Sequence, residues 1–155
     1  MIKITTEIIV PNTSPSQIFD WIMNLTPEKY RQWDPKAHVG KIKRPSVLKV
    51  GDKFWFEEVI DNYKISFRWI IKVLNRPNLF LMKASIPFPV YLQLSFLPLN
   101  KDSKVIHELR IGFNFFGLEK IVDFFITLFI MPGKKISAIR RHATEEFKNL
   151  EEILQ

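Results

Sequence analysis

The sequence has no cysteine. That excludes disulfides, thiolate metal sites and cysteine nucleophiles, so any metal must be held by histidine and carboxylate. Histidine itself is scarce, with three in 155 residues, so each one can be followed individually. No basic stretch followed by an apolar run opens the chain, which begins Met1-Ile2-Lys3-Ile4-Thr5-Thr6-Glu7; no signal peptide is expected, and the expected location is cytoplasmic. The most hydrophobic stretch, Ile121 to Met131, is too short to span a bilayer and has Glu119, Lys120 and Asp123 in or beside it. Repeats, low-complexity segments and linkers are also missing. One domain over residues 1–155 is the expectation, large enough to bury a real core.

Aromatic residues are plentiful at 14%, with 14 Phe, 4 Trp and 3 Tyr. They carry large apolar area and call for a big core or a lined cavity. The formal charge of +7 raises the question of nucleic acid, anionic lipid or an anionic ligand. The Lys and Arg are spread along the chain, however, and alternate with apolar residues at strand spacing. They read as a solvated sheet face, and no nucleic-acid partner is expected.

Periodicity orders the elements. Ile2, Ile4, Ile8 and Val10 share one alternating face and predict a strand over 2–10. Ser14-Pro15-Ser16-Gln17 has the form of a capped helix start, and Ile18, Phe19, Trp21, Ile22 and Leu25 follow as an apolar stripe. Thr26-Pro27-Glu28 opens a second short helix running to about Trp33. From about 38 to 115 the period becomes two. Phe54, Phe56 and Ile60 alternate; Ile65, Phe67, Trp69, Ile71 and Val73 oppose Lys64, Ser66, Arg68 and Lys72; shorter strands cover 78–85 and 90–98. Val105, Leu109, Ile111, Phe113 and Phe115 oppose Glu108, Arg110 and Asn114. Turn residues such as Gly51-Asp52, Asp61-Asn62 and Asn100-Lys101-Asp102 separate six strands here, and one-sided alternation implies an antiparallel sheet with one covered face. An apolar helix is expected over 117–131, broken at Pro132-Gly133. A last helix from about 134 to 154 carries Ile136, Ile139, Ala143, Phe147, Leu150, Ile153 and Leu154 as its stripe. The expected fold is α+β: a seven-stranded antiparallel sheet curved around a long C-terminal helix. A curved sheet and a straight helix cannot touch everywhere, so a cavity is expected between them.

The residues that could carry chemistry are few. At about 100° per residue, His142 and Glu146 lie one turn apart on the face of Ile139, Ala143 and Leu150. A His and a carboxylate at that spacing can grip one cation, or simply bond each other. His107 has the parity of Val105, Leu109 and Ile111 and faces inward, as a satisfied core residue or a functional one. Glu58 shares parity with Phe54, Phe56 and Ile60; a buried carboxylate is costly without a partner, and a cation would supply one. A bulge would instead turn Glu57 inward. His38 follows the helix end at Pro35, where the bland reading is a loop residue. Taken together, two histidines and two glutamates form a candidate mononuclear N/O site suited to zinc.

In its element order the chain resembles the START/Bet v 1-like helix-grip superfamily over nearly its whole length. Within it, four stretches resemble the diacetylphloroglucinol hydrolase and phloretin hydrolase family. They are Tyr30-Arg31-Gln32-Trp33-Asp34-Pro35-Lys36-Ala37-His38, the Glu58 strand, His107-Glu108-Leu109-Arg110, and Arg141-His142-Ala143-Thr144-Glu145-Glu146. The resemblance implies a zinc-dependent enzyme that cuts a carbon–carbon bond between an acyl group and a phenolic ring. It places His38, Glu58, His142 and Glu146 at the zinc ligands, and Tyr30 and His107 at substrate-contacting positions. A small hydrophobic or phenolic ligand is the implied partner, without stable membrane insertion; a homodimer is allowed. The rival reading is a non-enzymatic carrier or sensor of a lipid-like ligand, with 117–131 as a gate.

Overall fold

The computed structural model describes residues 1–39, 41–112 and 133–155. β1 (Ile2–Val10) is followed by α1 (Pro15–Met23) and α2 (Pro27–Trp33), then by six strands and a last helix. The strands are β2 (Ile42–Lys43), β3 (Lys53–Ile60), β4 (Tyr63–Asn75), β5 (Leu79–Ala84), β6 (Val90–Leu99) and β7 (Asp102–Ile111); the helix is α3 (Gly133–Leu154). The strand order is β1-β7-β6-β5-β4-β3-β2, antiparallel throughout. First and second strands thus lie at opposite edges, and α1 and α2 bridge the gap between them.

Local chemistry accounts for the element ends. Ser14 caps α1 by accepting from Gln17 N, and the Gln17 side chain accepts from Ser14 N at 2.8 Å, closing a capping box. Thr26 caps α2 through Lys29 N at 3.2 Å, with Pro27 preset at the first helical position. The β3–β4 hairpin turns on Asp61 and Asn62, both at positive φ (46° and 68°), as a two-residue turn of the hand that matches strand twist requires.

The inner sheet face carries Ile4, Phe54, Phe56, Trp69, Ile71, Phe80, Leu94, Phe96 and Val105, all buried. Against it α3 lays Ala138, Ala143, Phe147 and Leu150. Phe147 and Leu150, the large apolar side chains among these, each contribute roughly 1.5–3 kcal/mol by leaving water. Arg141 of α3 pairs with Asp61 at the hairpin tip, tying the helix to the far side of the sheet.

One alternation differs from the sequence expectation. The register shifts between Ile71 and Val73, where β4 pairs with β5. Lys72 is the extra residue of a bulge, so Val73 leaves the inner face and Leu74 packs against the core in its place. The expectations for Phe113, Phe115 and a helix over 117–131 concern residues outside those described. Among the described residues no helix is long and apolar enough to cross a membrane.

Candidate metal centre

Between sheet and helix lies a cavity of about 710 Å³. Its lining is mostly aromatic and aliphatic, with Trp33, Phe56, Phe67, Trp69 and Phe88 among the contributors. Tyr30, Glu58, His107, His142 and Glu146 also line it, and His38 stands fully buried behind them.

Each polar residue reaches this place for a local reason. α2 ends at Trp33 because Pro35 cannot continue it. The following turn is closed by Asp34, whose Oδ1 accepts from Lys36 N and Ala37 N at 3.0 and 3.1 Å, while its carbonyl accepts from His38 N at 2.7 Å. That turn drives the His38 ring under Tyr30, where the two stack at 4.1 Å between centroids. Strand parity brings Glu58 inward from β3. Glu57 points away and pairs with Lys64 at 2.9 Å. His142 and Glu146 come together from the buried face of α3.

The four side chains converge. His38 Nε2 lies 3.5 Å from Glu58 Oε1 and 4.0 Å from Glu146 Oε1. His142 Nε2 lies 3.9 Å from Glu58 Oε2 and 3.7 Å from Glu146 Oε2. One ligand atom each of His38, Glu58 and His142 fall within 4.8 Å of one another. These separations are too long for good hydrogen bonds. Ligands placed tetrahedrally at about 2.1 Å from a central ion stand about 3.4 Å apart, so the spacing of His38, Glu58 and His142 is near what an ion between them needs, with Glu146 just outside that group of three.

Three further observations support that fit. His38 Nδ1 is 2.7 Å from the Tyr30 carbonyl, which can only accept, so Nδ1 carries a proton and the neutral ring presents its lone pair from Nε2 toward the cluster. His38 Nε2 is buried and has no hydrogen-bond partner among the described residues. His142 Nδ1 lies 3.1 Å from Asp34 Oδ2, which likewise turns its Nε2 inward. Outer partners of this kind, a carbonyl and a carboxylate, are the usual way a protein fixes metal-binding imidazoles. The third observation is charge. Glu58, Glu146 and Asp34 form a knot of carboxylates of which no more than 15% of any side chain is exposed, and among the described residues the ion-pair partners of Glu58 and Glu146 are histidines. A divalent cation would balance it.

The acid–base properties of the metal-free site follow from this crowding. Burial pushes Glu146 up to about 7, with the neighbouring Glu58 and Asp34 charges adding to the rise and His142 and His38 opposing it. Burial also disfavours charge on His38, but Glu58 and Glu146 outweigh it and raise the imidazole above its ordinary value. Glu58 moves the other way: burial raises it, and the surrounding histidines, His38 first, bring it below the usual carboxylate value. His107 is pushed down to about 4 by burial, then by the charge of His142. It is therefore neutral in the physiological range, and its Nδ1 is buried without a hydrogen-bond partner among the described residues. Burial drives Tyr30 far up, and the charge of Glu58 adds to it, so the phenol stays protonated. Its hydroxyl lies 3.1 Å from the Glu57 carbonyl and 3.5 Å from Glu58 Oε1.

Five of the six residues singled out from the sequence thus line one cavity, and His38 is buried behind them. Sequence reasoning missed Asp34 and Thr6. Asp34 was visible only as part of a helix-ending Asp-Pro pair. Thr6 lies opposite His107 in the β1–β7 register and leaves its own buried Oγ1 without a partner; the strand parity of Ile4 and Ile8 was the available signal.

No protein-family model matches the sequence, and no curated protein does. Solved structures do match. A ginseng major latex-like protein from Panax ginseng superposes with a TM-score of 0.69 at 11% identity, over 98% of this chain and 96% of that one. The chain has the helix-grip fold. Ara h 8.0201 matches at a TM-score of 0.64 and 12% identity, covering 99% of this chain and 98% of the other. KanY, solved in solution, matches at 0.69 and 9%, covering 99% and 97%. In the helix-grip arrangement the cavity is what lies between grip and helix, and in this chain the carboxylate–histidine cluster sits in its wall.

Proposed function

We propose that this helix-grip protein is a zinc-dependent hydrolase that cleaves the carbon–carbon bond between an acyl group and a phenolic ring. The observation that carries the proposal is the convergence of His38, Glu58, His142 and Glu146, with both imidazoles turned Nε2-inward by groups behind them. Those four residues would hold the ion. Zinc bound there supplies a Lewis acid for an acyl carbonyl and acidifies water toward neutrality.

The chain's own residues account for the rest. The aromatic lining binds the ring and excludes bulk water. His107, neutral and with an unpartnered nitrogen, can hydrogen-bond a phenolic or carbonyl oxygen as charge develops there. Tyr30 presents a hydroxyl that stays protonated at the border between cavity and cluster. In the overall reaction the hydroxyl of water joins the acyl carbon, the acyl–ring bond breaks toward the ring, and the ring carbon takes the remaining proton. The products are a carboxylic acid and the free phenol.

A second reading has its own support. The cavity is large and predominantly apolar, as a carrier or sensor of a hydrophobic ligand requires. One experiment separates the two. Metal content is measured on protein purified without a histidine tag, and the zinc-loaded protein is offered acylphloroglucinols, other acylphenols and simple aryl esters. Acylphenol cleavage abolished by a chelator supports the hydrolase. Ester turnover alone makes the protein an esterase. Absence of both metal and turnover, with a co-purifying or displaceable apolar ligand, establishes the carrier.

A further inference from the structure

Asp34 occupies an unusual position. It is 4% exposed, and its carboxylate works at both ends. Oδ1 closes the turn that delivers His38, through Lys36 N and Ala37 N at 3.0 and 3.1 Å. Oδ2 reaches α3 and stands 3.1 Å from His142 Nδ1. The two imidazoles belong to segments about a hundred residues apart, and this side chain touches the supports of both. The contact is braced by the neighbouring Trp33. Trp33 Nε1 donates to the Glu146 carbonyl at 2.8 Å, and Asn149 Nδ2 donates to the Trp33 carbonyl at 3.1 Å. The end of α2 is thereby latched to the part of α3 that follows His142, at Glu146 and Asn149.

We propose that Asp34 is the positioning residue of the centre: it holds His142 in the tautomer protonated at Nδ1, so that its Nε2 lone pair faces Glu58 and Glu146, while fixing the turn that orients His38. The inference rests on the metal-site reading above for its purpose, but the tautomer it assigns does not require a metal. A carboxylate is acceptor-only, so a neutral His142 facing it must donate from Nδ1. An asparagine in its place would still close the turn through its carbonyl oxygen. Its amide nitrogen, however, would donate toward His142 and favour the opposite tautomer, with a proton on Nε2 where a metal must bind.

The test uses the full chain. Long-range ¹H–¹⁵N correlation spectra of the metal-free protein, recorded after titration until the imidazole signals stop moving, report the tautomer of His142. Wild type should show the Nδ1–H form; Nε2–H in wild type overturns the proposal without any variant. Asp34→Asn should flip His142 to Nε2–H and weaken zinc binding, read by competition with a chromophoric chelator, by roughly 10–100-fold. Circular dichroism should be unchanged in that variant. Asp34→Ala should weaken zinc binding at least as much and also disturb the amide signals of Lys36, Ala37 and His38. Asp34→Asn with wild-type zinc affinity and an unchanged His142 tautomer refutes the assignment even if wild type binds zinc. Wild type that binds no zinc, yet shows Nδ1–H and flips in Asp34→Asn, upholds the assignment and removes the metal reading instead.

Discussion

Without a bound metal this protein should lose stability as the pH rises, and Glu146 sets the size of the loss. Without a cation, ionising Glu146 puts a charge in a buried place, and that burial, with a smaller push from the Glu58 and Asp34 charges and against the opposing histidines, moves the group up from 4.5 to about 7. The folded chain then holds that proton more tightly than the unfolded one. The sign follows: the contribution is fully present below about pH 4.5, shrinks as pH rises, and is gone above about pH 7. At about 1.4 kcal/mol per pH unit the span amounts to roughly 3 kcal/mol, or roughly 6–12 °C in Tm for a chain of this size. His38 acts in the same direction, because its raised pKa gives stability at low pH that is lost as pH climbs through it. Glu58, held below its usual value, works oppositely, but its stability is lost only on the acid side of 4.5. The assay is thermal unfolding with chelator present, from about pH 4.5 to about pH 8, for wild type and Glu146→Gln. The variant is neutral at every pH, so the difference between the two curves isolates Glu146. Wild type should fall below the variant progressively across this range. Adding zinc should reverse the trend, because metal binding needs the ligands deprotonated and so strengthens with pH. Parallel curves for the two proteins without metal would refute the reasoning, since they would mean Glu146 ionises without cost where it stands.

The remaining expectations concern single side chains. His142→Ala should lose most of the zinc, whereas Glu57→Ala, which removes only the outward pair with Lys64, should keep it and change stability by less than about 1 kcal/mol; metal analysis and melting of both variants check this. Tyr30→Phe and His107→Ala should retain zinc and lower turnover of an acylphenol by roughly 10²–10³-fold, as removal of a hydrogen-bond donor from developing charge does. Phe147→Ala, in the helix stripe and 1% exposed, should cost roughly 3–5 kcal/mol in chemical denaturation through the cavity it leaves.

Much of this architecture was legible in residue periodicity. The β1 strand, the capped start of α1 and the short α2 could be read because each has a local signature: alternation at Ile2, Ile4, Ile8 and Val10, and Ser-Pro or Thr-Pro caps. Parity pointed to Glu58 but left Glu57 open, because a bulge would have exchanged them; the structure has no bulge between Phe54 and Ile60. The same logic failed at Val73, where one extra residue reverses every later side chain and nothing in the local sequence marks it. Asp34 escaped for a different reason. Its role lies in a contact with α3, and no local pattern encodes which distant helix a turn will meet. Periodicity could place His38 no better than a loop; only the turn built on Asp34 sends it into the core.

The strand order has a kinetic consequence. Because β1 and β2 are the two edges of the sheet, and because the cluster draws on the turn after α2, on β3 and on α3, no segment made early in synthesis contains a complete set of ligands. Pairings of such long sequence separation form late, after loop closure has been met. An ion held by the finished cluster therefore acts on the exit from the native state and hardly on the way in: it lengthens the lifetime of the folded chain while leaving the refolding rate nearly as it was.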